Sequence, residues 1–238
     1  MLLLALDTCD SRGSLALLRG EELLSALPYE GPGDYSSWVL PKAKALLGSC
    51  GLGMRDVEVF AVASGPGSFT GVRIGLTTVK AWGEAYGKPV VGVSRLESMA
   101  SAAAGVEKYV AALVDAHRNQ AFAGLYRREQ TGLHLVEHEM VAAPDGFVKW
   151  VGDRTEGTAV SWISMDPEMI TALDAWLDRA HRGENVQRSP AMLAPLVGKV
   201  GLQRALAGRT TDALGLDAEY VRRSDAEVFW KGGPTRGG

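Results

Sequence analysis

One pattern occurs twice in this chain, and it limits the fold more than any other feature. LLLALDT is an apolar strand ending on Asp7, followed by the polar turn CDSRG and two further strand-like runs, SLALLRG and EELLSAL. KYVAALVDA ends on Asp115 and is followed by HRNQ, AFAGLYRRE and LHLVEHEMV. Strand-to-Asp, polar turn, strand, strand thus repeats with little identity. Two related lobes are expected, with a boundary near residues 103–108. The division is residues 1–104, residues 105–230 and a flexible tail over 231–238.

Between the repeats the order is strand, helix, strand, helix. VEVFAVAS and PVVGVS are continuous apolar runs, as strands covered on both faces require. TGVRIGLTTVKAWGEAYG and LESMASAAA read as helices. This order predicts α/β architecture with parallel pairing. YSSWVLPKAKALLGSCG has Val39, Ala43 and Leu46 at helical spacing. Pro41 either sits in that helix's first turn or kinks it. In the second half a short helix is expected around 145–151, a strand over TAVSWISM, and helices near 167–182 and 189–207.

Composition enters when partners are considered. The 238 residues carry a formal net charge of -3. An acidic chain is poorly suited to bind nucleic acid alone, since affinity comes mainly from neutralising phosphates. Cys9 and Cys50 are the two cysteines, too few for a disulfide framework. The apolar start meets Asp7 too early for a signal peptide, and no apolar run reaches membrane-spanning length. A cytoplasmic protein without a membrane segment is expected.

The stretch GPGSFTGVR invites a phosphate-binding reading. Walker A fails for want of the lysine, and Gly65, Gly67 and Gly71 are spaced one residue too long for GxGxxG. A glycine loop before a helix can still bind an anion through free N–H groups. It can equally be a tight turn, with Ser68 or Thr70 as internal cap. Asp7 and Asp115 either face a metal–phosphate across a cleft or each close a hairpin turn. Asp7, Gly65, Gly67, Ser68 and Asp115 are therefore the candidate anion or nucleotide residues.

The helix after the loop carries one narrow polar stripe, Arg73, Thr77, Lys80 and Glu84. The rest is apolar or small, so the helix is buried in its own domain or covered by another protein. HLVEH, His134 to His138, matches a metalloprotease string. That chemistry needs a helix, and here a strand is expected, so neither metal ligands nor catalytic residues are assigned.

GPGSFTGVRIGL resembles the TsaB family, also called YeaZ. LALDTCDSRGSLALL, VDAHRNQAFAGLY and EYVRRSDAE resemble its first hairpin, its second-lobe hairpin and its C-terminal segment. The resemblance spans nearly the whole chain and is strongest over residues 1–125. It implies an actin/Hsp70/sugar-kinase-like fold of duplicated ribonuclease-H-like lobes. It also implies a non-catalytic subunit that activates TsaD in forming N6-threonylcarbamoyladenosine in tRNAs reading codons that start with A. TsaE would join the pair, tRNA would be met only through the complex, and a homodimer would form in isolation. No cofactor is implied for this subunit, although ATP or ADP is in the complex. The alternative is an ATP-binding phosphotransferase or hydrolase of the same fold. The fold shared with TsaD accounts for the family's glycoprotease-like descriptions.

Two departures from the family matter. TsaD relatives hold metal with HxxxH on the first-lobe helix, but Tyr35-Ser36-Ser37-Trp38-Val39-Leu40-Pro41 contains no histidine. His117 stands where relatives have arginine, with Arg118 adjacent. The resemblance places a partner interface on two first-lobe helices, with Trp38, Val39, Val72, Leu76, Val79 and Trp82 as its contacts.

Overall fold

The computed structural model describes residues 1–30 and 34–217. The EYVRRSDAE segment, the end of the 105–230 division and the 231–238 tail lie outside the described residues. Two mixed sheets form the frame. The first contains β1 (Leu2–Asp7), β2 (Ser14–Arg19), β3 (Glu22–Pro28), β4 (Val59–Ala63) and β5 (Val90–Val93), in the order β3-β2-β1-β4-β5. The second contains β6 (Tyr109–His117), β7 (Gln120–Glu129), β8 (Gly132–Leu135), β9 (Met140–Ala142), β10 (Val160–Ser164) and β11 (Val186–Arg188). Its order is β11-β10-β6-β7-β8, with β9 also on β7.

The duplication holds at the level of topology. In each sheet an antiparallel meander is followed by two parallel strands on the far side of its first strand. The helices follow suit. α1 (Tyr35–Ser49) precedes β4, and α4 (Pro144–Thr155) precedes β10. α2 (Phe69–Tyr86) joins β4 to β5; the short α5 (Glu168–Thr171) and α6 (Leu177–His181) join β10 to β11. α3 (Arg95–Ser101) follows β5, and α7 (Ala194–Leu206) follows β11.

These last two helices change places. α3 packs on β6 and β7 of the second sheet, and α7 packs on β1, β2, β4 and β5 of the first. Gly198 and Gly201 allow this close approach, since a Cβ at either would overlap Leu18 or Ala61. The expected division at 104/105 therefore needs correction. Residues 194–216 belong to the first sheet's core, and Leu96, Met99 and Ala100 to the second's.

The first sheet is covered by α1 and α2 on one face and by α7 on the other. This two-sided cover explains why β1 and β4 are buried throughout. Asp34 caps α1, its carboxylate accepting the Ser37 N–H at 2.9 Å. Pro41 lies inside α1, one turn beyond the start that its ring would favour. The expected third strand of the second meander is broken. β8 ends at Leu135, and Glu139 leaves the edge to accept hydrogen bonds from Tyr126 and Ser94 before β9 begins. The helix expected over 167–182 is interrupted by a 3-10 turn at Asp174–Trp176.

Candidate functional site

The GPGSF loop is bound into the protein on every side where contacts are seen. Gly65 adopts φ +111°, a conformation that glycine permits, before a cis Pro66. The Gly65 carbonyl accepts the Arg95 N–H at 2.6 Å, and the Ser68 N–H donates to the Cys9 carbonyl at 2.6 Å. Ser68 caps α2, its hydroxyl 3.5 Å from the Gly71 nitrogen. Thr8 donates its hydroxyl to the Gly71 carbonyl at 2.7 Å.

The glycines let the turn after β1 approach closely. A Cβ on Gly67 would overlap the Cys9 carbonyl oxygen, and one on Gly71 the Thr8 carbonyl oxygen. A Cβ on Gly75 would lie 2.6 Å from the Thr8 hydroxyl. The turn after β1 is thus packed closely against these glycines.

Asp7 lies beneath this turn and is fully buried. Its Oδ1 accepts the Cys9 N–H at 2.9 Å, and its Oδ2 lies 3.5 Å from Nε of the buried Arg95. Arg95 also reaches Asp10 at 2.5 Å and the Met165 sulfur at 3.5 Å. Arg12 completes the chain of charges, 3.0 Å from Asp10 and 3.2 Å from Asp166 at the end of β10. Asp7, Asp10, Arg12, Arg95 and Asp166 therefore form one network from the first sheet to the second.

Burial alone would raise the Asp10 pKa, but the adjacent Arg95 and Arg12 leave it below the usual carboxylate range. Burial and the Asp7 charge hold the Cys9 thiol well above its ordinary value, so this cysteine is not a thiolate nucleophile. A folded-state pKa below the unfolded one contributes stability above about pH 4, lost as pH falls through the folded value. Wild type should accordingly lose its stability advantage over Asp10→Asn as pH falls from 5 to about 2. Urea unfolding across that range checks this; a constant gap would remove Asp10 from the network's energetics.

Asp115 stands apart. It is half exposed, accepts the His117 N–H at 2.7 Å and lies 3.3 Å from the His117 ring. Asp7 and Asp115 share a turn-closing role, each accepting the N–H two residues on, but among the described residues they have no common contact. Each thus closes its own turn, as aspartate does. The tip beyond Asp115 is strained, with His117, Arg118 and Asn119 all at positive φ.

His134 is in β8 and His138 in the irregular link between β8 and β9, so HLVEH lacks the helix its motif requires. Among the described residues no group of three His, Cys, Asp or Glu is placed to hold a metal ion.

The six proposed partner contacts are all core residues. Trp38, Val39, Val72, Leu76, Val79 and Trp82 are 0–7% exposed. α2 lies on β4 and against α1, and its Gly83 packs on Val90 and near Ala213. The wide apolar face of α2 is therefore covered by the chain itself. The exposed side of α1 and α2 includes the apolar Leu40 and Phe69, and Thr77 and Ala81 further along α2. Arg73 lies over the Phe69 ring at 3.7 Å.

Sequence reasoning missed Arg95, Asp10, Arg12 and Asp166. Arg95 alone carried a signal. It is the one cation in VVGVSRLESMASAAA, directly after Ser94 at the start of a helix that follows a covered strand, and a charge buried there needs a partner.

The two sheets of matching order define a duplicated, two-lobed α/β fold. A solved ROK hexokinase from Thermus thermophilus shares this fold at a TM-score of 0.50, with 14% identity over 87% of this chain and all of that one. The model of the family "TsaD: tRNA N6-adenosine threonylcarbamoyltransferase" matches residues 27–162. The Bacillus subtilis tRNA threonylcarbamoyladenosine biosynthesis protein TsaB is 28% identical over 97% of this chain and 98% of its own length. A Pseudomonas aeruginosa structure, described as an uncharacterized protein with similarity to peptidase YEAZ, superposes at a TM-score of 0.70. It is 25% identical and covers 93% of this chain and 99% of that one. The chain belongs to the TsaD family and, within it, to the TsaB/YeaZ proteins.

Proposed function

We propose that this chain is a non-catalytic subunit in tRNA threonylcarbamoyladenosine biosynthesis that binds and activates TsaD. The observation carrying the non-catalytic reading is the Asp7–Arg95 pair. An arginine of the chain itself provides the positive charge beside Asp7, where a phosphotransferase of this fold would present a carboxylate to a metal–phosphate. The segment Tyr35–Pro41, which lacks histidine, agrees with it. The phosphotransferase alternative has no comparable support, because the glycine loop is packed on Thr8 and Cys9.

The partner surface is the outward side of α1 and α2, around Leu40, Phe69, Thr77 and Ala81. It serves TsaD in the complex and a second copy when the protein is isolated. TsaE joins the pair, and ATP or ADP acts in the complex without being held by this subunit. The net charge of -3 fits tRNA contact through partners.

A charge at Val72 or Leu76 would test the core, so the informative substitutions are on the exposed side. Thr77→Arg should weaken co-elution with TsaD at least about tenfold, or 1.4 kcal/mol, while thermal unfolding stays at the wild-type temperature. Unchanged affinity for Thr77→Arg and for Ala81→Arg would move the interface elsewhere.

A further inference from the structure

Charge is spread unevenly over this protein, and α1 and α2 are its basic part. The two helices hold Lys42, Lys44, Arg73 and Lys80 against one acid, Glu84. Their net charge is +3 on a chain of net -3, so the rest of the protein is acidic in sum. Lys42, Lys44 and Arg73 are exposed, and Lys80 is half-buried.

These cations share the outward side with the apolar residues. On α2, Phe69, Arg73, Thr77 and Ala81 follow one another four residues apart, with Lys80 directly before Ala81. On α1, Lys44 stands one turn beyond Leu40. The narrow polar stripe read in the sequence therefore runs through the proposed partner surface. Elsewhere many cations are tied to the chain's own acids, as Lys149, Arg154, Arg179, Arg188 and Arg204 are. Among the described residues Lys42, Lys44 and Lys80 enter no ion pair.

We propose that this face is built for an acidic protein surface, so that TsaD and not a second copy is the occupant it selects. The inference rests on the reading of α1 and α2 as the partner surface. A two-fold contact between copies sets the same patch against itself. Cations then approach cations, and Glu84 alone offers relief. An acidic face on TsaD pairs with these cations around the apolar contact of Leu40 and Phe69, a charged rim about an apolar centre. RNA fits this face less well. Affinity for phosphates grows with the number neutralised, and four cations are few. Arg73 also covers one side of the Phe69 ring, where a base would stack.

The test measures TsaD binding and self-association of the full chain as salt rises from about 50 to about 300 mM. Affinity for TsaD should fall several-fold, and self-association should not. Lys44→Glu with Lys80→Glu should weaken TsaD binding at least about tenfold and tighten self-association. At position 77 sign is separated from bulk: Thr77→Glu should bind TsaD less well than Thr77→Arg, although both intrude on the contact. If the two Thr77 variants weaken binding alike, while salt and the lysine reversal change nothing, the face is the interface but its charge selects no partner. This inference then fails alone. If none of these variants alters TsaD binding, the reading of the face fails with it. Loss of tRNA binding by the lysine variant, with TsaD affinity intact, would assign the cations to phosphate and overturn the proposal.

Discussion

Arg95→Met should destabilise the protein by about 3–5 kcal/mol at neutral pH, the range found when one partner of a buried ion pair is removed. Asp7 is fully buried, with Cys9 N–H on one oxygen and only the Arg95 guanidinium near the other. Removing Arg95 leaves an uncompensated charge under the glycine loop, and it frees one side of Asp10. Asp7→Asn combined with Arg95→Met should recover a substantial part of the loss, because the stranded charge is gone. Urea unfolding of the two single variants and the double variant measures the coupling. A loss below about 1 kcal/mol for Arg95→Met would place the pair among weak surface bridges, despite its burial. The same variants report on chemistry. Neither single variant should gain nucleotide turnover, because the glycine loop stays packed on Thr8 and Cys9 whether or not the ion pair is present.

The second large effect concerns those glycines. Gly71→Ala would push a methyl into the Thr8 carbonyl oxygen, a backbone atom with no rotamer to escape through. The cost should be about 1–3 kcal/mol or more, as for overpacked cores. Gly48→Ala makes the opposite prediction. Gly48 lies in α1 with open space around its Cβ position, so alanine should stabilise by roughly 0.5–1 kcal/mol through helix propensity. Denaturant midpoints of the pair decide the role of GPGSFTG. Opposite signs support a loop built for close packing on the β1 turn. A Gly71→Ala protein as stable as wild type would mean that the turn yields, leaving room beneath the loop.

Much of the frame was legible because it rests on local pattern. Apolar runs ending on Asp7 and Asp115, each followed by a polar turn and two more strands, became two sheets of matching order. Of the two caps open for the loop helix, Ser68 or Thr70, the structure uses Ser68. What escaped depends on where an element packs. Nothing local in LESMASAAA sends it to the second sheet, nor does the 194–206 sequence announce its return to the first. α2 shows the same limit from another side. Its wide apolar face was consistent with an interface or with a core, and β4, α1 and the 211–216 segment settle it as core. The charged network was hidden for a similar reason. Its members stand at positions 7, 10, 12, 95 and 166, and only the folded cleft brings them together.

The central claim is that this subunit works by enabling TsaD. The direct measurement is tRNA modification in a reconstituted mixture of TsaD, TsaE, a threonylcarbamoyl-AMP synthase, threonine, bicarbonate, ATP and tRNA, with and without this protein. The account predicts modification only when the protein is present, no transfer by it without TsaD, and failure of the Thr77→Arg variant to substitute for wild type. Equal modification in its absence, or transfer by this protein alone, would contradict it.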